Sequence, residues 1–98
     1  MKVLLICASG LSTSILVNNM RQYAPREDRI MACSVSELST YLNDADVILV
    51  GPQLRHQIKD IEDKAYLTSK IVALMDPKIY SRIDGEGMLE QARSLFVK

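Results

Sequence analysis

Three unbroken apolar runs and one mixed run set the plan of this chain. Between them lie stretches in which apolar residues recur every three or four positions. Val3-Leu4-Leu5-Ile6, Val47-Ile48-Leu49-Val50 and Ile71-Val72-Ala73-Leu74-Met75 are continuous. Such runs suit strands buried on both faces, as in a parallel sheet. They predict strands over Lys2–Ile6, Asp46–Val50 and Ile71–Met75, and Ile30–Val35 reads as a further short strand.

The intervening segments carry helical spacing. Leu16, Met20, Tyr23 and Ala24 share one face of a helix over Ile15–Ala24, capped by Ser12 or Thr13 and stopped by Pro25. Ser34 and Glu37 have the spacing of a capping box ahead of a helix over Ser36–Leu42, with Leu38 and Leu42 inward and a turn at Asn43-Asp44-Ala45. Pro52 suits the first position of a helix from Gln53 to about Lys64, where Leu54, Ile58, Ile61 and Ala65 align. Asp76-Pro77 closes the last strand, and Ile79-Tyr80 reads as a short helical turn. Asp84-Gly85-Glu86-Gly87 leads into a final helix with Leu89, Ala92 and Phe96 on one face.

Alternation of strand and helix implies a parallel sheet with right-handed crossovers. The expected architecture is α/β: a three-layer, doubly wound, four-stranded parallel sheet of order 2-1-3-4 with helices on both faces. Residues 1–98 are read as one domain, without repeats or linkers. Such sheets bind ligands beyond the carboxyl ends of their strands, where strand order reverses. The loop after the first strand is therefore the first place to look for chemistry.

That loop is Cys7-Ala8-Ser9-Gly10-Leu11-Ser12-Thr13-Ser14. Small residues between a strand and a helix start let successive backbone N–H groups converge on an anion, and the helix end adds about half a positive charge. Cys7 places a nucleophile at the mouth of that cradle. A free thiol titrates near 8.5, and a helix N-terminus can bring that down by about a unit or more. Thiolate at Cys7 would take a phosphoryl group in line, with loop amides and the hydroxyls of Ser9, Ser12, Thr13 and Ser14 around its oxygens. The plainer reading of a strand-end cysteine is packing, since cysteine is among the most often buried residues. Cys33, within an apolar strand, is assigned to the core.

Charge and composition narrow the function classes. Lys+Arg 12 balance Asp+Glu 12, which gives no support to nucleic-acid or membrane-surface binding. Residues 1–26 carry Lys2, Arg21 and Arg26 and no acid, a mild bias that suits a dianion near the first loop. No apolar run is long enough to span a bilayer, and the start has neither the length nor the cleavage site of a signal peptide. Two cysteines are too few for a disulfide framework, so a reduced, cytoplasmic protein is expected. No metal-ligand spacing occurs, and no cofactor is expected.

Two alternatives share this loop. A cysteine phosphatase places Arg five residues beyond the residue after its nucleophile, as a bidentate phosphate clamp. Thr13 stands there, so hydrolysis is disfavoured and the site would hold a phosphoryl group more readily than release it to water. Ser9-Gly10-Leu11-Ser12 also has some likeness to a flavodoxin phosphate loop. No Trp and one Phe leave little to stack on a flavin. The nucleotide-binding Gly-x-x-x-x-Gly-Lys-Ser/Thr loop is absent. His56, the only histidine, reads as a surface helical residue, and Lys59, Asp60, Glu62, Asp63 and Lys64 as a solvated face.

With these residues in view, the chain resembles the IIB component of the bacterial phosphoenolpyruvate-dependent sugar phosphotransferase system, lactose/cellobiose (oligo-β-glucoside) class. The resemblance runs over nearly the whole chain. It rests on Ile6-Cys7-Ala8-Ser9-Gly10-Leu11-Ser12-Thr13-Ser14, on Gly51-Pro52-Gln53, and on Asp76-Pro77-Lys78-Ile79-Tyr80 leading to Asp84-Gly85. It implies a phosphocarrier that accepts a phosphoryl group from a IIA phosphohistidine protein onto Cys7. Ala8, Ser9, Gly10, Leu11, Ser12, Thr13 and Ser14 would bind the phosphate. A sugar held by the IIC membrane transporter, a β-linked disaccharide by class, would then receive it. The family often has Gly where Ser81 stands here and an aromatic residue near His56. A relay favours weak docking, so a modest apolar surface around Leu11 and Pro52 is expected.

Overall fold

β1 (Lys2–Ile6) and β3 (Val47–Val50) lie side by side at the centre of a parallel sheet of order β2-β1-β3-β4. The computed structural model describes residues 1–7, 11–66, 68 and 70–97, with the backbone alone at 11 and 12. Central strands need apolar side chains toward both layers of helices, and Val3 to Ile6 and Val47 to Val50 are all fully buried. β2 (Arg29–Cys33) and β4 (Ile71–Leu74) form the edges and are only partly covered.

Two separate cores follow from the alternation along these strands. Val3, Leu5, Val47 and Leu49 pack with Leu16, Val17 and Met20 of α1 (Leu11–Tyr23) and Met88, Leu89 and Ala92 of α5 (Gly85–Phe96). Leu4, Ile6, Ile48 and Val50 pack on the other face with Leu38 of α2 (Leu38–Tyr41) and Ile61 and Ala65 of α3 (Ile58–Tyr66). Each fully buried Leu or Ile contributes roughly 1.5–3 kcal/mol. α4 (Pro77–Ser81) is capped by Asp76, whose Oδ1 accepts from the amide of Lys78 at 2.8 Å. The expected three layers and strand order are those observed.

Several local expectations change. α1 begins at Leu11, so Ser12 and Thr13 lie inside the helix and neither caps it. The capping box forms as expected, the amide of Ser34 donating to Glu37 Oε1 at 3.0 Å, and it holds the Glu37 carboxyl below its ordinary range. It opens a short 3-10 turn over Val35–Glu37, and α2 ends in another over Leu42–Asp44. The expected helix from Gln53 is a 3-10 segment over Pro52–Gln57, because Leu54 (φ −108°, ψ 15°) breaks the α geometry before α3. Tyr23 and Phe96 fall outside the cores at 55% and 44% exposure.

Both sheet edges carry side-chain covers. Arg21 donates to the outward carbonyl of Ile30 on β2 at 2.8 Å, and Gln91 Nε2 donates to that of Leu74 on β4 at 2.9 Å. Such covers occupy groups through which edge strands would pair with other chains. α5 starts hard against α1. A Cβ on Gly85 would lie 2.5 Å from the backbone carbon of Asn19. Ile83, just upstream, has φ 51°, and its carbonyl accepts from Asn19 Nδ2 at 3.1 Å.

Candidate functional site

Cys7 sits at the carboxyl end of β1, between the ends of β2 and β3, where the chain turns to opposite sides of the sheet. This is the position at which open α/β sheets bind ligands. Its amide donates to the carbonyl of Cys33 at 3.2 Å, and the amide of Gly51 donates to the carbonyl of Ile6 at 2.8 Å. The Cys7 backbone is thus fastened from both neighbouring strands. Gly51 allows the approach from β3: a Cβ there would lie 3.3 Å from the Ile6 carbonyl oxygen and 3.8 Å from Cys7 Cα.

The Cys7 side chain turns toward α1 and α5 and is 5% exposed. Burial pushes its thiol above the ordinary value near 9.0, and the hydroxyl of Thr13 pulls it back in part. Burial thus outweighs the lowering that a helix end can bring. An apolar surrounding penalises thiolate more than its neighbours support it. Cys33 lies in the other core, as expected for a packing residue, and its thiol is pushed up to about 11 by burial and then by the charges of Glu37 and Cys7.

Thr13 is the one strictly buried polar residue among those described, at 6% exposure. Its Oγ1 is shielded from solvent with no partner at full hydrogen-bonding geometry. It stands in the first turn of α1, where leading amides have no acceptor within the helix itself. Ser14 is exposed on the same turn, and Leu11 and Ser12 are placed by their backbone in it. Ala8, Ser9 and Gly10 lie outside the described residues.

Two concavities open near the carboxyl ends of the strands. A polar groove of about 270 Å³ between α1 and β2 is lined by Thr13, Ser14, Val17, Asn18, Arg21 and Ala32, with one cation and no acid. An apolar cleft of about 130 Å³ beyond β3 and β4 is lined by Pro52, Arg55, Leu74, Met75 and Pro77. Pro52 lines this cleft with the exposed Leu74 and Pro77, and the buried Met75 forms its floor. The loops on this side are tied together by Gln53 Nε2 donating to Tyr80 Oη at 3.3 Å. Spacing alone carries no sign of that bond, because its two ends come from different crossovers.

His56 is exposed, with its ring 3.3 Å from the Gln57 amide nitrogen, and the residues Lys59 to Lys64 named above as a solvated face are exposed except Ile61. Among the described residues, no three His, Cys, Asp or Glu side chains are grouped to hold a metal ion. No helix among them is long and apolar enough to cross a membrane.

The family model described as "PTS system, Lactose/Cellobiose specific IIB subunit" matches residues 2–91. The chain belongs to this family. The IIB family serves sugar transport as a phosphotransferase component. An oligo-β-mannoside-specific EIIB component of Bacillus subtilis is 35% identical over 99 residues, covering 98% of this chain and 96% of that protein. A galactose-specific EIIB component of Lactococcus lactis subsp. cremoris is 28% identical over 101 residues, covering 95% and 94%. The solution structure of a cellobiose-specific IIB component from Borrelia burgdorferi superposes with a TM-score of 0.79 at 30% identity, over 99% of this chain and 92% of that one. A lactose-specific IIB domain from Streptococcus pneumoniae has the same fold, with a TM-score of 0.80 at 20% identity over 98% and 97%.

Proposed function

We propose that this IIB chain is a phosphoryl carrier in the cytoplasm, with Cys7 Sγ as the atom that bears the group. A phosphohistidine on a IIA component donates, and a sugar bound by the membrane transporter IIC receives. The sugar is a β-linked disaccharide, in line with the oligo-β-mannoside and cellobiose components among its relatives. The observation that carries the reading is Cys7 at the sheet's switch point beside the first turn of a thirteen-residue helix, with the Thr13 hydroxyl unpartnered there. Residues Ala8 to Ser14 are the phosphate-holding loop.

A protonated resting thiol fits the first transfer. The N–P bond of the donor breaks as the S–P bond forms, and the proton leaving sulfur balances the nitrogen electron pair released on the imidazole. In the second transfer the S–P bond breaks, the phosphoryl group joins a sugar hydroxyl, and the hydroxyl's proton restores the thiol. Charge on the three equatorial oxygens meets amides and hydroxyls. Thr13 in place of an arginine leaves the site without a guanidinium clamp, which favours retention over hydrolysis.

Phosphoenolpyruvate, the general carrier proteins and a IIA component are expected to label the chain one to one. The label should be released by iodine, and Cys7→Ser should abolish it. A label on His56 or any other side chain, or undiminished labelling of Cys7→Ser, would overturn the reading.

A further inference from the structure

We propose that Gln53 and Tyr80 form the β3 side of the phosphoryl-transfer site: the carboxamide N–H and the phenol O–H, held by their mutual bond, donate to oxygens of the phosphoryl group on Cys7. This rests on the carrier reading above and extends its site beyond the loop and the first turn of α1. The sheet register brings Gln53 there. Ile6 and Val50 are paired between β1 and β3, so one step on Cys7 and Gly51 stand side by side. Neighbours in a parallel register point to the same face. For Cys7 that is the face of Val3, Leu5, Val47 and Leu49. The side chain that Gly51 lacks leaves a space beside Cys7 on that face. The Gln53 carboxamide borders it, with Oε1 3.2 Å from where a Cβ on Gly51 would lie, and that Cβ position is 3.8 Å from Cys7 Cα.

Tyr80 arrives from the other crossover. It packs against the core that holds Cys7, and its Oη accepts from Gln53 Nε2 at 3.3 Å. The bond joins residues 27 positions apart at an exposed place. Each partner would bond water nearly as well there, so the bond adds little to stability. What it does is fix the two side chains. With Oη accepting, the phenol O–H remains free to donate, and Nε2 keeps a second N–H. Of the charged residues on neighbouring elements, Arg21 donates to the Ile30 carbonyl, Arg55 lines the cleft beyond β3 and β4, and Asp76 and Asp84 cap α4 and α5. His56 and Lys78 are exposed. The donors that the register itself sets beside Cys7 on this side are neutral.

A phosphoryl group on Cys7 is then held from two sides, by the first turn of α1 and by this pair. Donors on its equatorial oxygens leave the position opposite sulfur open to an in-line acceptor. Because the pair is neutral, it orients the group without the pull of a guanidinium clamp, which agrees with a site that retains what it carries.

The test is a phosphorus NMR titration of the phosphocysteine in the chain loaded by phosphoenolpyruvate, the general carrier proteins and a IIA component. A donated hydrogen bond favours the phosphoryl dianion over the monoanion, so losing one moves the midpoint to higher pH. Tyr80→Phe and Gln53→Met are each expected to raise it by about half a unit, the size of one neutral hydrogen bond. Each variant also breaks the bond that holds the other side chain, so the double variant should move the midpoint by less than the two single shifts together. Urea midpoints taken in parallel report the purely structural part. Lowered stability with an unmoved phosphorus titration overturns the proposal, and so do single shifts that add in full. Should one variant lose its fold, the other single variant decides. A wild-type chain without a phosphocysteine resonance removes the carrier reading and this one with it, whereas a resonance that ignores both substitutions removes this one alone.

Discussion

The amide of Gly51 donates to the carbonyl of Ile6 at 2.8 Å, tying the end of β3 to the residue that precedes Cys7. The contact is close enough that a side chain at Gly51 would press on the Ile6 carbonyl and on Gln53 Oε1, at 3.3 Å and 3.2 Å from its Cβ. Gly51→Val adds a branched side chain there. It should destabilise the fold by about 1–3 kcal/mol, as overpacking does elsewhere. Because the pressure falls beside Cys7, phosphoryl labelling should drop further than the folded fraction does. Urea unfolding and labelling stoichiometry on one preparation separate the two effects.

Cys33 makes stability fall at alkaline pH. Its thiol titrates at about 11 when folded and near 9.0 when its surroundings are removed. Between these values the native chain binds more protons than the unfolded one, so stability declines with rising pH. The contribution is present in full below about pH 9 and is lost as pH rises through about 11. Cys7, also raised, acts in the same direction. Cys33→Ala should flatten this decline in part, as read from urea midpoints taken between pH 8 and 11.

The seam between α1 and α5 is expected to be the least forgiving place outside the sheet. Gly85→Ala brings a Cβ to 2.5 Å from the Asn19 backbone, which no rotamer can relieve. A loss of about 3 kcal/mol or more is expected, at the upper end for overpacking. Asp84→Ala, one residue earlier, removes only the cap in which Asp84 Oδ1 accepts from the Gly87 amide at 2.9 Å, a loss of about 1 kcal/mol. Thermal melting of the two variants side by side gives the contrast. A Gly85→Ala variant no less stable than Asp84→Ala would show that the helices can part there.

Much of this architecture is legible in the chain because its strands are unusually uniform. Runs such as Val3 to Ile6 suit a strand buried on both faces, and the alternation with helices makes the sheet parallel. The Ser34–Glu37 cap is local, so residue spacing reveals it. The break at Leu54 is not local in that sense. Its side chain goes into the core between β3 and α3, and packing there outweighs helical periodicity. The left-handed Ile83 is likewise set by the docking of α5 on Asn19, which involves residues sixty positions away. At the site, Cys7 and its loop stand out from the sequence, but the direction of its titration does not. A helix end argues for thiolate, and only burial at 5% exposure shows that the opposing effect is larger.

Cys7 and Cys33 are bonded through their backbones, amide to carbonyl at 3.2 Å, yet their sulfurs belong to opposite cores. The pleat therefore works as an insulator. Two thiols that are neighbours along the backbone ladder point to opposite faces of the sheet, and both are free. Coupling Cys7 to its nearest counterpart would require one of the two side chains to leave its core, so the sheet itself keeps the pair apart and leaves Cys33 to packing.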